Sequence, residues 1–218
     1  MSDASPSRRS SIASRSSWRS LFLCAGLVVA WGLLIRRFGG GDVYPVLGAY
    51  ALAVIVVVGS LRFRALRAEL RSTPRAVISG LAIGVGMTLA TYPIFDVSVR
   101  LFPSLRSHVA ELYRAAATRT VWQSLPWVVI IIVAEELLFR GALLDAFKRR
   151  LRPILAMTLA VAVYAMAQAG TGSSIVALMA LVCGAVWTVQ RHLSKSLLSP
   201  LISHLIWTPV VILLRPVL

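Results

Sequence analysis

The stretch IIIVAEELLFRGALL, residues 130–144, places two adjacent acids, Glu135 and Glu136, and a basic residue, Arg140, inside an apolar run. About 20 predominantly apolar residues are needed for a helix to cross the hydrocarbon core of a bilayer. An ionisable side chain at that depth costs on the order of 3 kcal/mol on insertion scales, and such residues commonly mark functional sites. The stretch therefore predicts a membrane-spanning helix with a functional group inside it.

The rest of the chain is nearly as apolar as this stretch. Hydrophobic residues make up 58% of its 218 residues, and the mean hydropathy is +0.80. This composition predicts an all-α, polytopic membrane bundle of about seven transmembrane helices in one domain, 20–218, after a disordered basic tail, 1–19. The seven predicted spans are 20–35, 43–61, 76–97, 121–144, 153–169, 174–190 and 197–215.

The net charge of +15 follows the predicted topology. A nucleic-acid-binding protein would not bury most of its length in apolar runs, so nucleic acid is not an expected partner. With the N-terminus in the cytoplasm, 15 basic residues fall on the cytoplasmic side and 7 on the opposite side, as the positive-inside rule requires. The cytoplasmic set is Arg8, Arg9, Arg15, Arg19, Arg62, Arg64, Arg67, Arg71, Arg75, Lys148, Arg149, Arg150, Arg152, Arg191 and Lys195. The opposite set is Arg36, Arg37, Arg100, Arg106, Arg114, Arg119 and Arg215.

The same basic set predicts attraction to anionic lipids on the cytoplasmic face. The high usage of Arg and Ala resembles that of GC-rich bacteria, so we expect the bacterial inner membrane as the location.

Helical geometry gives the two glutamates different surroundings. Glu136 and Arg140 are four residues apart, so they share a face and form a pair that offsets part of the cost of burial. Glu135 points about 100° away and has no partner in its own helix, which suits a group that takes and returns a proton. Two interpretations remain open: a proton-transferring carboxylate, or two acids that only fasten neighbouring helices.

Few other polar residues lie deep in the later spans. Gln168 occurs in VYAMAQAG, and His204 occurs in ISHLIWTPV with Thr208 four residues later on the same face. Cys24 and Cys183 lie in apolar runs without metal-ligand spacing, and no HExxH is present, so we expect no metal and no cofactor. A serine nucleophile in GTGSS, 170–174, is a weaker alternative to a carboxylate that activates water.

These residues resemble those of the CPBP family, the CAAX proteases and bacteriocin-processing proteins, also called Abi. The resemblance covers about 121–215: EELLFRG matches the EExxxR motif, a basic loop KRRLRP follows, and a histidine lies in the final span. It implies an intramembrane glutamic endopeptidase, a hydrolase in which Glu135 activates water and Glu136 with Arg140 supports it.

Two further motifs of the family are altered in this chain. Its FxxxH motif corresponds to Tyr164 through Gln168, and its histidine followed four later by asparagine corresponds to His204 and Thr208. The resemblance implies that Gln168 positions the water while His204 and Thr208 stabilise the oxyanion.

The expected partner is a membrane-anchored protein or peptide substrate, cleaved near the cytoplasmic leaflet for maturation or sorting-signal processing. A non-catalytic member that acts as an immunity or partner-binding protein is the alternative. A small transporter is disfavoured because inverted repeats are absent.

Overall fold

The computed structural model describes the backbone of residues 6–38, 43–116 and 119–218, and within these ranges it contains helices and no strands. These ranges contain nine α-helices, with one π-helical segment and one 3-10 turn between them and a second π-helical segment after the last. The α-helices are α1 (Pro6–Phe38), α2 (Val43–Glu69), α3 (Pro74–Leu101), α4 (Leu105–Ala116), α5 (Val121–Glu135), α6 (Leu144–Lys148), α7 (Pro153–Gln168), α8 (Ser174–Ser194) and α9 (Leu198–Pro209). The π-helical segments are π1 (Glu136–Leu143) and π2 (Val210–Leu214), and the 3-10 turn is Ala169–Thr171.

The prediction of an all-α integral membrane protein is confirmed. Among the described residues, five helices are long and apolar enough to cross a membrane, and a shorter apolar helix runs from Leu198 to Leu214. The five are Trp18–Phe38, Val43–Glu69, Pro74–Leu101, Pro153–Thr171 and Ser174–Ser194. The predicted span 121–144 corresponds to α5, π1 and α6 in succession. The exact number of seven crossings, and the cytoplasmic N-terminus, stay predictions.

The structure describes only part of the segment predicted as a disordered tail. Residues 1–5 of the tail, 1–19, lie outside the described residues, and the backbone is helical from Pro6 onward. The division of the chain into a tail and a membrane domain at residue 20 stays a prediction.

An amphipathic helix that the hydropathy pattern did not predict lies between the third and fourth predicted spans. This helix, α4, buries Val109 and leaves Arg106 and Glu111 exposed. The hydroxyl of Tyr113 donates a hydrogen bond of 2.8 Å to the carbonyl oxygen of Val211 in π2. Helix α4 is too short and too polar to cross a bilayer, and it packs against the end of the bundle instead.

Close approach of α3 to α9 fixes the helix that carries His204. A Cβ on Gly80 would lie 2.7 Å from Cβ of Ile202, and one on Gly84 would lie 2.9 Å from Cα of Ser203. Small residues at both positions therefore let the two backbones pack closely, as is usual between membrane helices. A buried hydrogen bond from Ser203 Oγ to Gln190 Oε1, 2.7 Å long, ties α9 to α8 as well.

The helix termini lie at two opposite ends of the bundle. At the first, which we call the Glu69 end, α2 and α8 finish and α9 begins, and the amide of Leu197 donates to the carbonyl of Glu69 over 2.9 Å. At the second, which we call the α4 end, α2, α5 and α8 begin and α4 lies against π2. Helix α5 starts at this end with a capping box, because the backbone N–H of Gln123 donates to Thr120 and the side chain of Gln123 accepts from the Thr120 amide.

Candidate active site

The two glutamates lie at the junction between α5 and π1. Glu135 is the last residue of α5, Glu136 is the first residue of π1, and every residue of π1 is buried. The amide of Leu144 donates to the carbonyl of Phe139, five residues earlier, which is the hydrogen-bond spacing of a π-helix. π-Helical segments inside α-helices are frequent at functional sites, and this segment begins at the two glutamates.

Both carboxylate oxygens of Glu135 accept hydrogen bonds from α7. The hydroxyl of Tyr164 donates to Oε2 over 3.0 Å, and Nε2 of Gln168 donates to Oε1. Tyr164 and Gln168 are four residues apart and share one face of α7, which explains why both reach the same carboxylate. Glu135 is only 5% exposed. The hydrogen-bond donors that the described residues give Glu135 thus come from another helix.

Glu136 links two basic groups. Its Oε1 accepts from Nη1 of Arg140 over 3.1 Å, which is the predicted pair, and the same oxygen lies 2.9 Å from Nδ1 of His204. Because an ionised carboxylate only accepts, this contact requires a proton on Nδ1. The other ring nitrogen, Nε2, then faces Glu135, and it lies 3.8 Å from Oε2 of that residue. His204 thus contacts Glu136 directly and turns its second nitrogen toward Glu135.

Aromatic side chains of α7 and α8 enclose the charged groups. The indole of Trp187 stacks on the imidazole of His204 with ring centres 3.6 Å apart and an angle of 20° between the planes. The guanidinium carbon of Arg140 lies 4.2 Å from the ring centre of Tyr164 and 5.3 Å from that of Trp187. Gly184 completes this wall, because a Cβ there would lie 2.8 Å from Cδ1 of Tyr164. These contacts fix the orientation of His204 and Arg140 by packing as well as by hydrogen bonds.

A cavity of about 300 Å³ reaches Glu135. Gln168, His204 and Thr208 also line it, so the predicted site residues of three separate spans meet at one space. Thr208 is half-buried, and the described residues give it no hydrogen bond to the other site residues. Within the ranges described, no three His, Cys, Asp or Glu side chains are grouped as a metal site would require, and Cys24 and Cys183 are buried free thiols.

A comparison with protein families matches the segment 117–210. The matching model is described as Rce1-like, type II CAAX prenyl endopeptidase. The model is one of the CPBP family, and the part of the chain that it matches, which we call the CPBP segment, is less than half of the chain. No curated protein and no solved structure matches the chain. The CPBP segment contains all six predicted site residues, and its family is one of CAAX-type proteases that act on membrane-associated proteins or peptides.

Two aromatic residues of the CPBP segment were missed as site residues by the sequence analysis. Tyr164 occupies the first position of the altered FxxxH motif, and its spacing of four from Gln168 was the available signal that both face the same group. Trp187 gave no signal, because one aromatic residue in an apolar span is indistinguishable from a packing residue. The contact between His204 and Glu136 joins residues 68 positions apart and was equally invisible.

Proposed function

We propose that this chain is an intramembrane endopeptidase of the glutamic type, in which Glu135 activates the water that attacks a peptide bond. The observation that carries the proposal is the pairing of Glu135 Oε2 with Nε2 of His204 across 3.8 Å at the wall of a cavity. A water molecule to one side of this gap would lie within hydrogen-bond distance of both atoms. In this proposal the Glu135 carboxylate accepts the proton of that water and His204 orients it.

In the proposed reaction, Glu135 takes one proton from the water while the water oxygen bonds to the peptide carbonyl carbon. The electron pair of the C=O bond moves to the carbonyl oxygen and forms a tetrahedral oxyanion. When the oxyanion collapses, the C–N bond breaks and the leaving nitrogen takes the proton from Glu135. The carboxylate is regenerated, and the water is divided between the two products.

The supporting residues balance charge and hold the oxyanion. Glu135 and Glu136 carry two negative charges, and Arg140 with a protonated His204 carries two positive charges, so the buried set is neutral in that state. Protonated His204 keeps Nδ1–H on Glu136 and presents Nε2–H to the cavity, where it can donate to the oxyanion. The hydroxyl of Thr208 lines the same cavity and is the second proposed donor.

Gln168 receives a role different from the predicted one in this proposal. It donates directly to Glu135, so it orients the carboxylate rather than the water, and Tyr164 does the same from the other oxygen. An amide cannot accept the proton of water as a histidine can, which leaves Glu135 as the only base of the pair.

The proposed setting is the bacterial inner membrane, with a membrane-anchored protein or peptide as substrate and anionic lipids against the basic face. A non-catalytic, partner-binding member of the family is the second candidate. It is favoured by one observation: both oxygens of Glu135 accept hydrogen bonds from donors on α7.

The two functions are distinguished by replacing one carboxylate. Cells that carry the wild-type chain, Glu135→Gln or Glu111→Gln would be compared for new peptide termini in their membrane fraction by mass spectrometry. Glu111 lies exposed on α4 and serves as the matched control. We expect termini that appear with the wild type and Glu111→Gln and vanish with Glu135→Gln. Identical termini in all three strains would favour the partner-binding function.

A further inference from the structure

A groove separate from the proposed active site lies where α1, α2 and α6 meet at the Glu69 end. We call it the arginine groove, because Arg19 of α1, Arg62 of α2 and Arg149 at the end of α6 border it. Its volume of about 440 Å³ falls within the range of protein pockets that bind small molecules, about 300–1,000 Å³. Among the described residues, none borders both this groove and the cavity at Glu135. The arginine groove is therefore a second space with its own chemistry.

The ion pairs beside the arginine groove balance one another. Arg62 forms an ion pair with Asp145, and its Nη2 lies 3.3 Å from Oε1 of Glu69. Nη2 of Arg191 lies 3.1 Å from Oε2 of the same glutamate. Two guanidinium groups thus face two carboxylates, and this network has no net charge. Nη1 of Arg62 has no hydrogen-bond acceptor among the described residues, so Arg62 retains donor capacity after both ion pairs are made.

Arg19 and Arg149 add two positive charges that the network does not balance. Both side chains are exposed, and the part of the chain that the structure describes gives neither of them a carboxylate partner. Of the described residues, Asp145 is the only acid that borders the groove, and Arg62 already pairs with it. Guanidinium groups bind phosphate through paired N–H donors. The charge of the lining therefore favours an anion that contains phosphate.

The lining changes from basic to apolar with depth in the bundle. Along α1, Arg19 is followed by Leu23 and Leu27 at intervals of four residues, which places all three on one face. Along α2, which runs in the opposite direction beside this groove, Val58 precedes Arg62 by four residues. With a rise of 1.5 Å per residue, Leu27 lies about 12 Å farther along its helix than Arg19. The arginines of both helices thus lie at the outer level, and the apolar side chains lie at the inner level.

An aromatic residue marks the outer level as the boundary between hydrocarbon and headgroups. Trp18, beside Arg19 on α1, is 48% exposed, and the guanidinium carbon of Arg150 lies 3.5 Å from its ring centre. Tryptophan is enriched at that boundary. Leu23 and Leu61 are also exposed, and they belong to helices long and apolar enough to cross a membrane. A ligand in the groove would meet arginines at the depth of headgroups and apolar side chains at the depth of lipid tails.

We propose that the arginine groove binds one anionic phospholipid, with its phosphate between Arg19 and Arg149 and the start of an acyl chain against the apolar residues of α1 and α2. A free phosphate would leave the apolar lining unfilled, and a zwitterionic lipid would bring a further cation beside the two arginines. Basic pockets between membrane helices are suited to such headgroups. The proposal goes beyond the proposed function: it depends neither on peptidase activity nor on which end of the bundle faces the cytoplasm.

The bound lipid would contact the segment that carries the buried ion pair of the proposed active site. Ala142 of π1 borders the arginine groove, and π1 also contains Glu136 and Arg140. A ligand that binds only the folded chain stabilises it by an amount that grows with its affinity. The lipid should therefore raise the unfolding temperature of the protein.

The proposal is tested on the purified full chain in a neutral detergent after removal of lipid. Phosphatidylglycerol or phosphatidylcholine with identical acyl chains would be added, with adducts measured by native mass spectrometry and unfolding measured by intrinsic fluorescence. The test variant combines Arg19→Gln with Arg149→Gln. The matched control combines Arg64→Gln with Arg71→Gln, because these two arginines are exposed near the same end and do not border the groove.

We expect the wild type and the control variant to bind one phosphatidylglycerol roughly tenfold or more tightly than phosphatidylcholine, with a matching rise in unfolding temperature. The test variant should lose this preference, and glycerol 3-phosphate should compete only weakly because it leaves the apolar lining empty. Equal weakening in both double variants would overturn the proposal, since the attraction would then be spread over the whole basic surface. Equal affinity of the wild type for the two lipids, or full competition by equimolar glycerol 3-phosphate, would overturn it as well.

Single variants keep the test decisive if the double test variant does not fold. Arg19→Gln and Arg149→Gln would each be compared with Arg64→Gln, and each should weaken binding of phosphatidylglycerol by roughly threefold or more. Unchanged binding in both single variants would contradict the proposal. None of these measurements depends on hydrolysis, which the Glu135→Gln comparison tests separately.

Discussion

Tyr164 donates its hydroxyl hydrogen to Oε2 of Glu135 over 3.0 Å, and Gln168 occupies the other oxygen of the same carboxylate. The family motif has phenylalanine at the position of Tyr164, so a hydroxyl is present here where the motif has none. The ring of Tyr164 is also held from above by Arg140 and from the side by Phe139, with ring centres 4.9 Å apart. A fixed donor on the carboxylate proposed to activate water makes Tyr164 a positioning residue.

Tyr164→Phe should lower peptidase activity by about 10- to 100-fold, because a hydrogen bond to a charged group contributes roughly 1.5–3 kcal/mol. The measurement is the rate at which Glu135-dependent termini appear in isolated membranes. Tyr50→Phe is the matched control, since the Tyr50 hydroxyl also donates one hydrogen bond, to the Leu27 carbonyl over 2.8 Å, away from the cavity. Equal losses of activity in the two variants would show that Tyr164 acts through general stability.

Replacement of Gln168 by histidine should preserve peptidase activity, whereas replacement by leucine should lower it. Gln168→Leu removes the donor to Oε1 of Glu135, and we expect a loss of activity of about 10-fold or more because the buried carboxylate loses a partner. Gln168→His keeps a donor and adds a group that can accept a proton, so its activity should equal or exceed that of the wild type. The two variants would be compared in the same membrane assay at equal protein levels. Loss of activity in Gln168→His would show that the amide has become specifically required.

Gly184→Ala should disturb the site through packing. The added Cβ would lie 2.8 Å from Cδ1 of Tyr164 and 3.2 Å from Nη2 of Arg140, so the ring or the guanidinium must move. Overpacking of this kind costs about 1–3 kcal/mol. We expect a lower unfolding temperature in detergent together with lower activity.

Gly86→Ala is the control for Gly184→Ala. Gly86 is exposed in the interior of α3, and nothing lies within 4 Å of a Cβ added there. Alanine has the higher helix propensity by about 1 kcal/mol, so Gly86→Ala should leave the unfolding temperature unchanged or raise it. A fall of equal size in both variants would contradict the packing argument.

The sequence predicted local relationships in the site and missed those that cross between helices. The pairing of Glu136 with Arg140 was predictable because helical geometry brings positions four apart together. The contact of His204 with Glu136 was not, since it depends on how α9 packs against α5 and π1. Residue spacing likewise placed Gln168 on the correct helix, but only the packing of α7 shows that it bonds to the carboxylate itself.

The same distinction applies to the fold. Long apolar runs predicted the membrane helices, because hydropathy alone determines whether a segment can enter a bilayer. Helix α4 was missed because only one of its faces is apolar. The polar residues on its other face lower the average hydropathy of the segment.

Replacement of the two adjacent glutamates should have different effects: Glu136→Gln should mainly lower stability, and Glu135→Gln should mainly abolish activity. Glu136→Gln leaves the guanidinium of Arg140, which is 1% exposed, without its ion-pair partner, and removing one partner of a buried pair costs about 3–5 kcal/mol. We expect this variant to unfold at a much lower temperature in detergent and to accumulate poorly in membranes. Glu135→Gln removes a carboxylate whose direct hydrogen-bond donors, Tyr164 and Gln168, are neutral, so the unfolding temperature should fall less than with Glu136→Gln while activity is abolished. Unfolding followed by intrinsic fluorescence, alongside the membrane assay, checks both variants. Equal destabilisation by the two substitutions would mean that both acids fasten the helices, and Glu135 would lose its distinct role.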